Sequence, residues 1–251
     1  MEAVLKKENI TIILIDTQIP ENIGAAARAM NNMGIERLIL VNPKWIDRGR
    51  MLKSGTIHSE RIIDNIEIIN DLKEAIGRFG YIVGTTARLG THRPAMAAPE
   101  SLAEKLVDIS QNNEVAILFG PEDKGLSNEH LQYCHTITTI PTSEFSSLNL
   151  AQAVLIVCYE IFKASIIHTD SSIPRLANSF ELEGMYAHLS GILTKIGYLN
   201  PQNPDLWMLY VRRFFSRMQL RAREVRLIRG ICRQIDWYTD KRLKDIKGSD
   251  E

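Results

Sequence analysis

The sequence predicts an α/β domain with a mainly parallel sheet and helices on both faces, followed by a small all-helical extension. Two observations lead to this fold class. Short apolar runs rich in β-branched residues alternate with helical patterns up to about residue 166, which is typical of parallel sheets. Beyond residue 180 only helical patterns remain. The predicted strands span residues 11–15, 37–41, 81–83, 115–119 and 136–140.

Two helices of this first part are predicted from their apolar spacing. After the first strand, Pro20 fits the first turn of a helix, and Gly34 offers its C-terminal stop. A second helix over 147–164 is apolar on most sides, so we expect it to be deeply buried. Ser146 or Ser147 is expected to cap its free amides.

A change of composition divides the chain. Residues 167–179 are poor in apolar side chains and rich in Ser, Thr and Asp, as exposed linkers are. We therefore expect a first domain over 1–166, a linker over 167–179 and an extension over 180–251. Helices are predicted in that extension over 180–196, 206–217 and 222–238.

The charge of the chain is balanced overall but uneven along its length. The 251 residues include 30 basic and 30 acidic ones, a total that does not indicate a polyelectrolyte partner. Between Leu206 and Arg233, however, Glu224 is the only acidic residue among eight arginines. This basic stripe fits binding to an RNA backbone, and an ordinary solvated helix face is the alternative.

Several classes of protein are disfavoured. Neither a secretory leader nor an apolar stretch of membrane-spanning length is present, so we expect a cytoplasmic protein without a membrane partner. The three cysteines are widely separated and the histidines lack ligand-like spacing. We therefore expect reduced cysteines and no metal.

Three polar clusters lie at or just after predicted strand ends, where open α/β sheets build their sites. The first runs from Asn22 to Arg28 at the start of a helix. Small residues there let an anion approach the helix N-terminus, and Arg28 offers a fork of donors for phosphate. The alternative is helix packing by the alanines with a solvated Arg28.

The second and third clusters follow the strands over 115–119 and 136–140. Gly120 and Gly125 bracket an acidic loop that holds Glu122, which an ordinary strand-to-helix turn leaves unexplained. In the third cluster, Asn149 lies near the start of the most apolar helix of the chain. Burying its side-chain amide there costs free energy unless the amide forms hydrogen bonds. Simple helix capping explains the serines of this cluster better than it explains Asn149.

Taken together, in this order and spacing, the three clusters resemble the three motifs of the TrmH branch of the SPOUT RNA methyltransferases. The resemblance implies a trefoil knot, an exception to the rule that chains do not thread their own loops. It also implies that the knotted backbone binds S-adenosylmethionine, with the apolar helix after Ser147 as the threaded segment.

Within that branch the chain is most similar to the TrmJ type, because the resemblance continues into the extension, through 212–217 and 227–231. Members of that type methylate the ribose 2′-hydroxyl of nucleotide 32 in the tRNA anticodon loop as homodimers. The resemblance therefore implies tRNA as a partner and a homodimer formed through the first domain.

The resemblance also assigns roles to residues. The implied catalytic residues are Arg28, Glu122, Ser147 and Asn149. The implied cofactor-binding residues are Thr85, Thr86, Ala87, Gly120, Ile140, Ser146, Ser147 and Leu148. The implied RNA-binding residues are Asn22, Arg28, Arg212, Arg213 and Arg217. We expect Arg28 to bind the phosphate beside the target ribose, because a guanidinium is effectively always protonated and makes a poor base.

Three alternatives stay open. A dehydrogenase with a dinucleotide-binding fold is disfavoured, since no G-x-G-x-x-G follows any predicted strand. A non-catalytic RNA-binding protein is disfavoured by the joint presence of the four implied catalytic residues. A methyltransferase acting on ribosomal RNA or on another tRNA position is the third alternative.

Overall fold

The structure is a computed structural model that describes residues 5–87, 95–144, 147–167, 173–199 and 204–247. It consists of two compact units, Met1–Arg175 and Leu176–Glu251. The linker expected over 167–179 stays a prediction. The described helices on either side of it end at Ile167 and begin at Ser179.

The N-terminal unit is built on one parallel sheet. Its strands are β1 (Ile10–Ile15), β2 (Arg37–Val41), β3 (Glu67–Ile69), β4 (Tyr81–Thr85), β5 (Ala95–Ala97), β6 (Val115–Phe119) and β7 (Thr136–Thr138). The order across the sheet is β3-β2-β1-β6-β4-β7-β5, and every neighbouring pair is parallel. The predicted parallel sheet is confirmed, and β3 and β5, which were not predicted, are its short edge strands.

The described helices of this unit cover both faces of the sheet. They are α1 (Pro20–Met33), α2 (Arg48–Gly55), α3 (Glu60–Asp64), α4 (Leu72–Ile76), α5 (Pro99–Ser110), α6 (Asn128–Leu131) and α7 (Leu150–Ile167). Ile13, Ile39 and Leu118 of the strands pack in one core cluster with Ile76 of α4 and Leu131 of α6. Because strand side chains alternate, their neighbours point to the opposite face, where α7 contacts both α1 and α5.

Helix α1 begins and ends as the sequence predicts. Pro20 is its first residue, where the missing amide hydrogen costs nothing. Gly34 ends it in a left-handed conformation with φ of 70°, which favours glycine. Asn22 therefore lies in the first turn of the helix that follows β1.

Helix α7 starts later than predicted, so the expected cap at Ser146 or Ser147 is wrong. The side chain of Asn149 accepts a hydrogen bond from the amide of Ala151 at 2.9 Å, and Gln152 reaches back to the amide of Asn149 at 3.2 Å. The two contacts cap the first turn; they differ from a capping box in that Asn149 accepts from the second helical residue and not from the third. Ser146 lies outside the described residues, as do 88–94, and the implied knot stays a prediction.

The C-terminal unit is helical, as predicted. Its described helices are α8 (Ser179–Lys195), α9 (Pro204–Ser216) and α10 (Ala222–Lys247). They enclose a small core that includes Leu182 and Met185 of α8, Met208 of α9 and Val225 of α10. Within the described part of the chain, no helix is both long enough and apolar enough to cross a membrane.

Candidate functional site

A cavity of about 280 Å³ opens at the edge of the sheet where the strands end. Four neighbouring strands end there side by side, in the order β1-β6-β4-β7. The residues after β4, β6 and β7, together with the start of α7, form its wall. Each implied cofactor-binding residue that the structure describes lines this cavity: Thr85, Thr86, Ala87, Gly120, Ile140, Ser147 and Leu148. Glu122 lines it as well.

The loop after β6 folds back on itself at Gly120. A Cβ atom at this position would lie 2.2 Å from the carbonyl carbon of Gly125 and 2.3 Å from the amide nitrogen of Leu126. Backbone atoms cannot move aside as a flexible side chain can, so glycine is required there. The amide of Gly125 closes the loop by donating to the carbonyl of Pro121 at 2.8 Å. This closure holds Glu122 at the edge of the cavity.

Three of the implied site residues form a chain of hydrogen bonds beside the cavity. The Nδ2 atom of Asn149 donates to Oδ1 of Asn22 at 3.0 Å. The Nδ2 atom of Asn22 donates in turn to Oε1 of Glu122 at 2.9 Å. Residues separated by 100 and 127 positions in the sequence are thus joined directly. We refer to Asn149, Asn22 and Glu122 as the amide chain.

The direction of the amide chain follows from the chemistry of Glu122. A carboxylate only accepts hydrogen bonds, so Asn22 must turn its NH2 group to Glu122 and its carbonyl oxygen to Asn149. The backbone amide of Gln18 donates to the second oxygen, Oε2, at 3.1 Å. Glu122 therefore fixes the orientation of Asn22, and Asn22 fixes that of Asn149.

Gln18 is a contributor that the sequence did not reveal. Its side chain also donates to the exposed carboxylate of Asp123 at 2.8 Å. The contact with Glu122 comes from the backbone, which every residue except proline can supply, so no side-chain pattern could have predicted it.

The start of α1 is held by a second set of contacts. Nε of Arg50 donates to Oε1 of Glu21 at 2.5 Å, and its guanidinium carbon lies 4.2 Å from the ring centroid of Trp45. The hydrogen bond from Arg50 holds the pKa of Glu21 below its usual value. These contacts tie α1 to the chain that follows β2 and help to fix the position of Asn22.

Arg28 and Ser147 are less constrained. Arg28 is exposed and lies six residues after Asn22, about 9 Å along the helix axis. It does not line the cavity, and no described residue pairs with it. Ser147 is exposed on the cavity wall. The structure thus brings Asn22, Glu122, Asn149 and Ser147 to one edge and leaves Arg28 outside the cavity.

The implied RNA-binding arginines of the C-terminal unit differ among themselves. Arg212 forms a two-pronged ion pair with Glu183 of α8, and its guanidinium carbon lies 4.4 Å from the ring centroid of Tyr186. Arg213 is half-buried and Arg217 is exposed. Arg212 therefore links α8 to α9, whereas Arg217 has a side chain accessible to a ligand.

No group of three or more His, Cys, Asp and Glu side chains among the described residues is placed to hold a metal ion. Cys134 and His135, which directly precede β7, are buried and do not line the cavity. Burial lowers the pKa of His135 to about 4, and the ring accepts a hydrogen bond on Nδ1 from the amide of Ile82 at 3.0 Å. It is a neutral structural histidine.

Comparison with known families identifies both units. Residues 9–159 match the SpoU rRNA Methylase family, and residues 180–247 match the tRNA methyltransferase TrmJ, C-terminal domain. The chain belongs to the TrmJ family of SpoU methylases. This confirms the family and the methyltransferase class that the three clusters and the extension indicated.

Individual relatives agree along nearly the whole chain. A tRNA (cytidine/uridine-2'-O-)-methyltransferase TrmJ from Photorhabdus laumondii is 35% identical over 240 residues, covering 93% of this chain and 99% of its own length. A tRNA (cytidine/uridine/adenosine-2'-O-)-methyltransferase TrmJ from Pseudomonas aeruginosa is 35% identical over 243 residues, covering 89% of this chain and 92% of its own. The crystal structure of TrmJ from Z. mobilis ZM4 matches with a TM-score of 0.78 and 32% identity, covering 90% of this chain and 98% of that one.

Proposed function

We propose that this protein transfers a methyl group from S-adenosylmethionine to the ribose 2′-hydroxyl of nucleotide 32 in the anticodon loop of tRNA. The observation that carries the proposal is the cavity at the strand ends with the amide chain at its edge. The names of the TrmJ relatives support the tRNA ribose as the target. The nucleotide position rests on the resemblance to the TrmJ type.

The lining of the cavity suits this cofactor. Its volume of about 280 Å³ is close to the lower end of the range for small-molecule sites, roughly 300–1,000 Å³. Ile140 and Leu148 offer apolar wall for an adenine ring, and the backbone around Gly120 can approach a ligand closely because position 120 has no side chain. Glu122 and Asp123 on the wall suit a positively charged ligand.

When bound, S-adenosylmethionine would supply a methyl group on a positively charged sulfonium sulfur: an oxygen would bond to the methyl carbon in line as the bond from carbon to sulfur breaks and the sulfur leaves as a neutral thioether. The protein must then align the 2′-hydroxyl with that methyl carbon and ease the loss of its proton. Alignment alone can supply up to roughly 7–11 kcal/mol in ideal cases. The amide chain is suited to this task, because Asn22 and Asn149 are held in one orientation by Glu122.

Ser147 and Arg28 complete the proposed site from its outer side. Ser147 is on the cavity wall, and we assign its hydroxyl to holding the ribose or the facing loops. We assign Arg28, exposed and without a described partner, to the phosphate beside the target ribose. A planar guanidinium binds two phosphate oxygens at once and stays protonated, so Arg28 positions the RNA and does not remove the proton.

Ribosomal RNA is the second candidate substrate. The family that matches the N-terminal unit carries rRNA in its description, which favours this alternative. The match of residues 180–247 to the C-terminal domain of a tRNA methyltransferase favours tRNA. We prefer tRNA because both units of the chain, in this order, are found in the TrmJ relatives.

We propose that the protein acts as a homodimer through its N-terminal unit. Leu155, Tyr159 and Ile166 are exposed apolar residues of α7, spaced by four and seven positions along the helix. A repeated apolar surface of this kind commonly marks a protein contact. Tyr159→Arg is expected to convert the dimer to a monomer in sedimentation velocity, and an unchanged sedimentation coefficient would place the contact elsewhere.

The proposed reaction is tested by incubating tRNA with the enzyme and cofactor labelled in its methyl group, followed by mass spectrometry of the nucleosides. We expect label on a ribose, mapped by nuclease fragments to nucleotide 32. Ribosomal RNA serves as the competing substrate in a parallel reaction. Label on a base, or on ribosomal RNA only, would reject the proposal.

A further inference from the structure

An exposed row of rings runs along helix α9. Trp207, Tyr210 and Phe214 are spaced by three and four residues, so they share one face of the helix. They are 49%, 56% and 61% exposed, and Tyr198, which precedes the helix, is 67% exposed. We refer to these four residues as the aromatic stripe.

The core of the C-terminal unit does not require the aromatic stripe. The residues of α9 that pack in that core are Met208, Val211 and Phe215, each one position after a ring of the stripe and so about 100° further around the helix. Large aromatic side chains left in contact with water lose the free energy that their burial would give, and adjacent exposed ones are unusual for that reason. The stripe therefore indicates a binding surface.

The rings are ordered by one another. Tyr198 meets Trp207 with centroids 6.5 Å apart and planes at 66°, and Trp207 meets Tyr210 at 6.3 Å and 61°. Phe214 meets Phe215, which packs on the core, at 5.2 Å and 76°. These are edge-to-face contacts, a favourable arrangement for aromatic pairs. Rings held in this way lose little conformational entropy when a ligand stacks on them.

Two arginines lie close to the C-terminal part of the stripe. Arg213 follows Tyr210 by three residues on α9, and Arg217 comes directly after the end of the helix, three residues after Phe214, so both arginines lie close to the rings. No acidic residue occurs between Leu206 and Arg223, and Asp205 directly precedes that segment. Arg212 is excluded from this surface by its ion pair with Glu183. A ligand of the stripe should therefore combine flat apolar faces with negative charge.

We propose that the aromatic stripe binds unpaired bases of the substrate RNA by stacking, while Arg213 and Arg217 hold the adjoining phosphates. This inference rests on the proposed function for the presence of an RNA substrate. Rings interleaved with cations are the arrangement that single-stranded nucleic acid recognises, because every base has a face that can stack. Bases inside a duplex are already stacked on one another, so the stripe selects a loop rather than a stem.

The test uses the full-length protein and a fluorescently labelled oligouridine, with an RNA duplex of the same length as the second probe. Trp207→Ala, Tyr210→Ala and Phe214→Ala are compared with Trp237→Ala, a matched exposed tryptophan on α10. Because these side chains are exposed, the variants should keep the circular dichroism spectrum of the wild type.

Each variant of the stripe is expected to weaken binding of the oligouridine about 5- to 150-fold, the cost of losing one stacked base. Trp237→Ala should bind like the wild type, and duplex binding should change little in any of the four. Arg217→Gln should instead reduce the slope of log affinity against log salt by about 0.7, the contribution of one phosphate on a single strand.

Three results would overturn the proposal. The stripe variants could bind oligouridine as Trp237→Ala does, they could lose duplex binding equally, or they could change the sedimentation coefficient with unchanged RNA affinity. The last result would make the stripe a contact between copies of the chain.

The methylation assay separates this proposal from the proposed function. If the wild type labels tRNA ribose and the stripe variants keep full RNA affinity, only the stripe proposal fails. If the stripe variants lose oligouridine binding and the wild type labels no tRNA ribose, the stripe proposal stands and the proposed function fails.

Discussion

The two units of the chain present their polar and aromatic residues in opposite ways. In the N-terminal unit, Asn22, Glu122 and Asn149 are joined to one another at the strand ends, so each has one orientation. In the C-terminal unit, Trp207 is exposed on the surface of α9 and Arg217 is exposed just after the end of that helix. Chemistry requires groups that do not move, whereas binding a long flexible RNA requires groups that can be reached.

The difference also separates two arginines with the same implied role. Arg28 of the N-terminal unit is exposed with no described partner, and Arg212 of the C-terminal unit is paired with Glu183 and lies over Tyr186. A guanidinium that already has a carboxylate gains less from a phosphate. Arg28 is therefore the stronger candidate for RNA contact. Arg212 is better explained as a structural contact that holds α8 and α9 together.

The largest effect is expected for Arg28→Ala. If Arg28 holds the phosphate beside the target, its removal should lower turnover about 100- to 1,000-fold and leave cofactor affinity within a few fold. Turnover is measured by methyl incorporation and cofactor affinity by calorimetry. Arg61→Ala is the matched control, because Arg61 is also an exposed arginine of the N-terminal unit. It pairs with Glu36, which directly precedes β2 and therefore lies at the opposite edge of the sheet from the carboxyl ends of the strands. Equal turnover in the two variants would remove Arg28 from the mechanism.

A smaller effect is expected for Glu122→Gln. The glutamine has one accepting oxygen for the two donors, Asn22 and Gln18, so the orientation of Asn22 is no longer enforced. Turnover should fall about 10- to 100-fold, as for a misplaced positioning group. Glu129→Gln is the control, because Glu129 is an exposed carboxylate on α6, after the same loop, and does not line the cavity. If both variants lose the same activity, charge near the loop matters and the amide chain does not.

The smallest effect is on stability and involves His135. Its folded pKa of about 4 is below the usual value of about 6.5, so the unfolded state binds a proton that the folded state does not between those pH values. Stability should therefore fall as pH falls from about 6.5 to 4, by about 2 kcal/mol at pH 5 relative to pH 7. Urea unfolding checks this.

His135→Asn keeps an acceptor for the amide of Ile82 and does not titrate, so its stability should depend less on pH in this window. In the C-terminal unit, the described groups with shifted pKa values, Tyr186, Lys195 and Cys232, are shifted upward and do not titrate there. An unchanged pH dependence in His135→Asn would show that other groups destabilise the protein in acid.

The central strands and long helices could be predicted, and the edge strands could not. Runs such as Val115–Phe119 are buried on both faces, so each position must be apolar and the pattern is plain. The edge strand Glu67–Ile69 has three residues, two of them exposed, and its sequence carries no such constraint. The start of α7 was predicted three residues too early, because Ser147 and Asn149 are both good caps and only the fold selects between them.

The sequence by itself determined the family, the parallel sheet, the helical extension and the residue types of the site. Local propensity and periodicity are properties of neighbouring residues, so the sequence expresses them directly. Only the tertiary structure decided that Asn149 reaches Asn22, that Gln18 donates to Glu122 and that Arg212 is engaged while Trp207 is exposed. Those contacts join residues that are far apart in the chain. The packing of the whole sheet and its helices sets the distances between them.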